Sequence, residues 1–245
     1  MKYLARICYD GSHFEGFQRL KNGCGVQNEL ERVLSLIQKR EVQVKGAGRT
    51  DAGVHALDQC ISFELVVDMD ESKLKYVLNR SLCPYISVNS IEKVDENFHA
   101  RFSVKEKVYL YKIYVGEKNP FLENYTYHAL QKIDIELLKK VGTIFVGTHD
   151  FRNFVSGERD DYVSTIFDIQ VQEESDFIYI EFHGSGFYRY MVRSLVGAMI
   201  DVSLGKVPID CIAKSLEYPD IEKRFFIAPA SGLYLKKVEY FTKNE

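Results

Sequence analysis

Gly46-Ala47-Gly48-Arg49-Thr50-Asp51-Ala52-Gly53-Val54-His55-Ala56 lies between two apolar runs, one opened by Val42 and Val44 and the other spanning Cys60 to Val66. The spacing predicts a glycine-rich loop between two strands that return side by side. That reading turns the fold away from the nucleotide-binding α/β classes that such a loop first suggests. A dinucleotide fingerprint needs glycine where Asp51 stands, and a carboxylate there repels a pyrophosphate at a helix N-terminus. A phosphate loop counted from Gly48 reaches Gly53 on schedule, but Lys and then Ser or Thr must follow, and the chain supplies Val54 and His55. An aspartic protease site would need Asp followed by Thr or Ser and Gly, with a second such carboxylate to share one proton. What remains is an aspartate in a tight loop, with Arg49 two residues upstream to hold it ionised, the preparation of a carboxylate nucleophile. On the string alone, a plainer reading stays open: a hairpin loop whose Asp caps a turn and whose Arg is solvated.

Outward from this loop, residues 3–9 alternate like a strand, and Val26, Leu30, Val33, Leu34 and Ile37 recur at helical spacing. Leu74, Val77 and Leu78 mark a second helix, with Asp70 or Ser72 as its cap, and Ile86 to Val94 reads as a closing strand. The first half is therefore β-α-β-β-α-β, the ferredoxin-like (RRM-like) order. The second half repeats it: a strand at 107–115, a helix carrying Ile135, Leu138, Val141, Ile144 and Phe145, and strands near 162–172 and 177–184. A helix from about Phe187 to Ser203, a Pro-marked insertion at 208–229 and a last strand, Leu233 to Phe241, complete it. The expectation is an α+β protein of two fused ferredoxin-like units, 1–104 and 105–245, sharing a continuous antiparallel sheet. Helices would cover one face and leave the other as a platform for an RNA stem.

Composition narrows the classes. A chain of 245 residues, 28.3 kDa, with 46% hydrophobic and 27% charged residues can bury a core. Tyr190 to Leu204 is broken by Arg193 and Asp201, and no window reaches the ~20 apolar residues of a spanning helix. The N-terminus has no signal core, so the cytoplasm is expected, and no membrane partner. Five scattered cysteines without a C-x-x-C pair suggest neither a disulfide framework nor a zinc cage, and six histidines without close spacing suggest no other metal site. A net charge of −3 speaks weakly against nucleic acid, but charge is local: Arg101 to Lys112 holds four cations and one anion. Arg189 and Arg193 are expected on one helix face, and Arg193, interrupting an apolar stretch, calls for a buried carboxylate partner such as Asp51.

The loop, together with segments that recur in order along nearly the whole chain, resembles the TruA family of tRNA pseudouridine synthases. These segments are Tyr9-Asp10-Gly11-Ser12-His13-Phe14-Glu15-Gly16-Phe17-Gln18-Arg19, Gly25-Val26-Gln27, Phe98 to Ser103, Lys107 to Tyr111, Gly147 to Phe151, Gly186 to Arg193 and Ala228 to Leu235. The resemblance implies that Asp51 is the essential aspartate, Tyr109 the aromatic contact to the target base, Arg193 a basic partner of the aspartate and Arg49 the motif arginine. It implies a pseudouridine synthase fold, a homodimer, no metal or organic cofactor, and tRNA as substrate, with targets at the 3′ side of the anticodon stem and loop. RNA contacts are expected from Gln18, Arg19, Arg101, Lys105, Lys107 and Arg189. His55 and His149 are expected to be structural. Phe17 stands where the family usually has Trp, Leu20 where Gln is common, Cys83 for the first of two prolines and Ser164 for an arginine. The departures at Leu20 and Ser164 leave room for the same isomerisation on another RNA, such as ribosomal RNA, and a non-catalytic RNA-binding module is the remaining alternative.

Overall fold

A computed structural model of the chain describes residues 1–82, 84–219 and 225–241. Cys83 and residues 220–224 of the Pro-marked insertion therefore lie outside the described residues. The chain is mixed α+β, with mostly antiparallel strands and five α-helices among the described residues. It divides into two units, Met1–Lys105 together with the stretch from Leu235 onward, and Glu106–Tyr234.

The first unit runs β1 (Lys2–Tyr9), α1 (Val26–Gln38), β2 (Val44–Gly46), β3 (His55–Glu64), α2 (Glu71–Leu82) and β4 (Ile86–Val94). β1 lies antiparallel between β4 and β3, and β2 pairs with the far end of β3 through Val44↔Phe63 and Gly46↔Ile61. Alternation makes β1 a strand: Tyr3, Ala5, Ile7 and Tyr9 point into the core, where Tyr3 stacks on Phe63 at 5.7 Å. Val26, Leu30, Val33 and Leu34 form the buried stripe of α1. Asp70, one of two expected caps, accepts the Lys73 amide at 2.9 Å and starts α2.

The second unit contains β5 (Val104–Tyr114), β6 (Tyr127–His128), α3 (Ile135–Phe145), β7 (Gly147–Asp150), β8 (Val163–Glu174), β9 (Phe177–Gly184), α4 (Met191–Ser203) and α5 (Asp210–Glu217); β10 (Leu233–Tyr240) closes the chain. Strand order is β5-β9-β8-β7. β6, β7 and α5 escaped the periodicity because two- to four-residue strands and an eight-residue helix are shorter than the windows that reveal a period.

Cross-strand partners share a sheet face. Tyr109 is opposite Phe182, which is opposite Ile169, and Ile169 packs on Gly142 of α3. Tyr109 therefore lies on the helix-bearing face. The opposite face carries Asp168, Gln170, Gln172 and Glu174, with Glu181 and His183 beside them and Glu106 hydrogen-bonded to His183 at 2.8 Å. Lys112, opposite Tyr179, lies on this face among the carboxylates.

Helix α4 starts at Met191, four residues later than expected. Phe187, Tyr188 and Arg189 are held outside it: the Tyr188 hydroxyl donates to the Val163 carbonyl at 2.7 Å, and the Arg189 carbonyl accepts the Ser156 amide at 3.1 Å. Tyr190 then takes φ 63°, a left-handed conformation that no helix continues through. Once begun, α4 is buried almost all round, and Gly197 meets the 225–229 segment backbone to backbone. A Cβ there would fall 1.6 Å from the Phe226 carbonyl oxygen. Gly197→Ala is therefore expected to lower stability by about 3 kcal/mol, the upper range for overpacking, read as a shift of the urea midpoint. An unchanged midpoint would contradict this packing.

Candidate active site

In the first unit the loop is shorter than its glycines suggest, because β3 already begins at His55. It is held from both sides. Ala47 donates to the Cys60 carbonyl at 2.8 Å, and the buried Gln59 side chain grips the Gly48 peptide, accepting its amide at 3.3 Å and donating to its carbonyl at 3.0 Å. Thr50 is buried, with its hydroxyl 2.8 Å from the Tyr9 hydroxyl and its carbonyl accepting the Phe17 amide at 3.0 Å. Burial pushes the Tyr9 phenol up to about 12, so it serves as a neutral hydrogen-bonding post.

The Tyr9-to-Arg19 motif is thus the clamp of the loop. Gly16 has φ 101°, and a Cβ there would come within 2.9 Å of the Thr50 carbonyl. Gly11 lies so close to Val54 that a Cβ would sit 2.0 Å from its carbonyl oxygen. The Phe14 carbonyl accepts the Gly53 amide at 3.3 Å, and the Asp51 carbonyl accepts the Val54 amide at 3.1 Å, closing a turn with Gly53 at φ 78°. Phe17, in place of the usual Trp, is buried with its ring against Gly46. Leu20, in place of Gln, is held through its backbone by both ends of the Asn28 amide.

Asp51 emerges half-buried at the turn of this clamped loop. Arg49 is exposed. The pinned Thr50 between the two residues fixes the backbone of the loop. Arg19, expected to contact RNA, is held by a neighbour while its side chain stays 44% exposed. Its guanidinium makes a bidentate pair with Glu31 at 2.6 and 2.7 Å, and Glu31 also accepts the Gln27 amide group and the Val44 amide. That network raises the pKa of Arg19 through the Glu31 hydrogen bond and ties the motif to α1 and β2. Gln18 is exposed.

His55 is 2% exposed. The Gly11 amide donates to its Nδ1 at 3.1 Å, so Nδ1 acts as an acceptor and the ring proton belongs on Nε2. In that neutral form the 3.3 Å approach of Nδ1 to Asp10 is proximity without a proton between them. The contact ties His55 to the Gly11 turn. His149 Nε2 meets the Val146 carbonyl at 3.1 Å.

In the second unit Tyr109 is 7% exposed, its ring edge-on to Phe187 at 5.2 Å and 77°. Phe187, the ring that meets Tyr109, stands beside Gly186 in the Gly186-to-Arg193 segment. Arg193 donates from Nε to the Ala228 carbonyl at 2.7 Å, while the Ala228 amide returns a bond to the Arg193 carbonyl at 3.1 Å. Arg189 and Arg193 are not aligned by one helix, since Arg189 precedes α4. They are brought together by the Tyr190 ring, with guanidinium carbons 5.0 and 4.9 Å from its centroid. Tyr111 donates to the Pro229 carbonyl at 2.9 Å, and burial raises its pKa against the opposing charge of Arg193. Ser164, in place of an arginine, donates to the Gly186 carbonyl at 2.7 Å and so ties β8 to the segment carrying Phe187.

The remaining basic candidates lie on or near β5. Arg101 is exposed over the exposed Phe102 ring at 5.7 Å, Lys105 is exposed over Phe241 at 6.0 Å, and Lys107 is half-buried opposite Gly184.

The family model described as tRNA pseudouridine synthase matches residues 5–103 and 143–241. The chain belongs to the tRNA pseudouridine synthase family. Tyr9 to Arg19, the Asp51 loop and Arg193 fall inside the matched segments, while Tyr109, Lys105 and Lys107 fall in the stretch between them. The family relatives are nearly co-extensive with this chain. "tRNA pseudouridine synthase A 2" of Bacillus anthracis is 39% identical over 97% of this chain and 99% of its own length. "tRNA pseudouridine synthase A" of Pseudothermotoga lettingae is 39% identical over 98% and 99%, and that of Mycoplasma genitalium 37% identical over 98% and 98%. As a member of the family the chain is an isomerase that turns uridine into pseudouridine.

Proposed function

We propose that the chain acts on tRNA, isomerising uridines on the 3′ side of the anticodon stem and loop, with Asp51 as the nucleophile. The observation that carries this is the Asp51 turn itself: a carboxylate presented half-buried by a loop whose neighbouring members are pinned by backbone or buried side chains. The reaction breaks the C1′–N1 glycosidic bond, turns the uracil and forms a C1′–C5 bond. C5 loses a proton and N1 gains one. Bonds, electrons and protons balance within one nucleotide, so the scheme draws on no metal or organic cofactor. Asp51 adds to the sugar or to the base to hold the intermediate, and leaves when the new bond has formed.

In this reading Tyr109 holds the extruded base; with so little of its ring open, stacking requires a neighbour such as Phe187 to give way. Arg193 supplies positive charge from a guanidinium oriented by Ala228. Arg49 acts in catalysis together with Asp51 and Arg193, and Gln18, Arg19, Arg101, Lys105, Lys107 and Arg189 contact RNA. The ferredoxin-like division into 1–104 and 105–245 is supported in the first unit by the antiparallel neighbours β4-β1-β3-β2 and the alternation of strands and helices. A cytoplasmic homodimer follows from the family resemblance; no helix among the described residues is long and apolar enough to cross a membrane.

The test is a transcriptome-wide pseudouridine map with and without the gene. Loss of pseudouridine on the 3′ side of tRNA anticodon stem-loops is expected. Loss confined to ribosomal RNA would move the substrate, and an unchanged map would leave only an RNA-binding role.

A further inference from the structure

In the first unit, two exposed rings are stacked beside the Asp51 turn and take no part in the core. The His13 and Tyr85 ring centroids are 3.5 Å apart at 21°, the Tyr85 residue is 42% exposed and the His13 side chain 42% exposed. Both are held by main chain rather than by packing. His13 ends a short 3₁₀ turn, Gly11–His13, whose Asp10 cap accepts the Ser12 amide at 3.0 Å and the Ser12 hydroxyl at 2.6 Å. Tyr85 is fixed by its carbonyl, which accepts the Asp10 amide at 3.0 Å. The same turn is bolted to the Asp51 loop: the Gly11 amide donates to His55, and the Phe14 carbonyl accepts the Gly53 amide. The rings therefore keep a set place relative to residues 53–55.

We propose that His13 and Tyr85 form a stacking platform for a nucleobase of the RNA substrate, a neighbour of the extruded uridine. The proposal rests on the reading of Asp51 as the nucleophile. An aromatic pair that is preorganised and open to water offers a flat face at little conformational cost, and every base has a face to match it. The charged group facing the pair is the Asp10 carboxylate, 3.8 Å from His13 Nε2 and held by Ser12; a base, unlike a phosphate, is not repelled by it.

The test uses the whole protein and a tRNA carrying 2-aminopurine next to the target uridine. Wild type is expected to quench the 2-aminopurine on binding, and Tyr85→Ala to abolish the quench and raise KM about five-fold or more with kcat within about two-fold. Tyr85→Phe should behave as wild type, because stacking needs the ring and not the hydroxyl. Adding His13→Ala to Tyr85→Ala should change little further, as two rings acting together are not additive. Undiminished quenching in Tyr85→Ala, or a fall in kcat at unchanged KM, would overturn the platform. Should wild type form no pseudouridine, the reading of Asp51 fails instead, and the quench and RNA affinity of Tyr85→Ala still decide the platform.

Discussion

Asp51→Asn is expected to bind tRNA within about three-fold of wild type while forming product at least about 10⁴-fold more slowly, the scale on which loss of a nucleophile acts. The substitution keeps side-chain size and removes only the charge and the bond-forming oxygen. The loop that carries it should survive, because Gly48, Thr50 and Gly53 are held by Gln59, Tyr9, Phe17 and Phe14, none of which depends on the carboxylate. Single-turnover conversion and equilibrium RNA binding measured on one preparation separate the two quantities. Residual turnover above about 1% of wild type would remove Asp51 from the bond-making step.

Arg193→Ala is expected to lower kcat about 10²-fold, the usual loss when one oriented cationic or hydrogen-bond donor is withdrawn from a developing charge. It should also cost about 1–2 kcal/mol of stability, because the Ala228 carbonyl loses the Nε donor at 2.7 Å. Arg193→Lys keeps the charge but neither the planar fork nor the contact over Tyr190, and should recover only part of the activity. The pair of variants divides the roles. A kcat near wild type in both, with lowered melting temperature, would make Arg193 a strut between α4 and the 225–229 segment and nothing more.

Much of this was legible in the sequence because periodicity is written locally. Tyr3, Ala5, Ile7 and Tyr9 alternate, and Val26, Leu30, Val33 and Leu34 repeat at helical spacing; each pattern survives folding because one face of the element must leave water. Capping was equally local at α2, where Asp70 bonds the Lys73 amide three residues on; Asp134, not among the expected caps, caps α3 in the same way. Arg19 shows where locality ends. Its partner Glu31 sits twelve residues away on α1, and only the packing of α1 against β2 brings the two together.

What the sequence by itself determined is the succession of strands and helices, the turn in which Asp51 stands and membership of a family of RNA isomerases. Only the tertiary structure decided which arginines are engaged and that Tyr109 lies buried against Phe187 on the helix side of its sheet. The reason is physical. Burial periodicity and turn chemistry depend on neighbours a few residues away. Charge pairing and ring contacts are settled by whichever groups the folded chain brings within a few ångströms, whatever their distance in sequence.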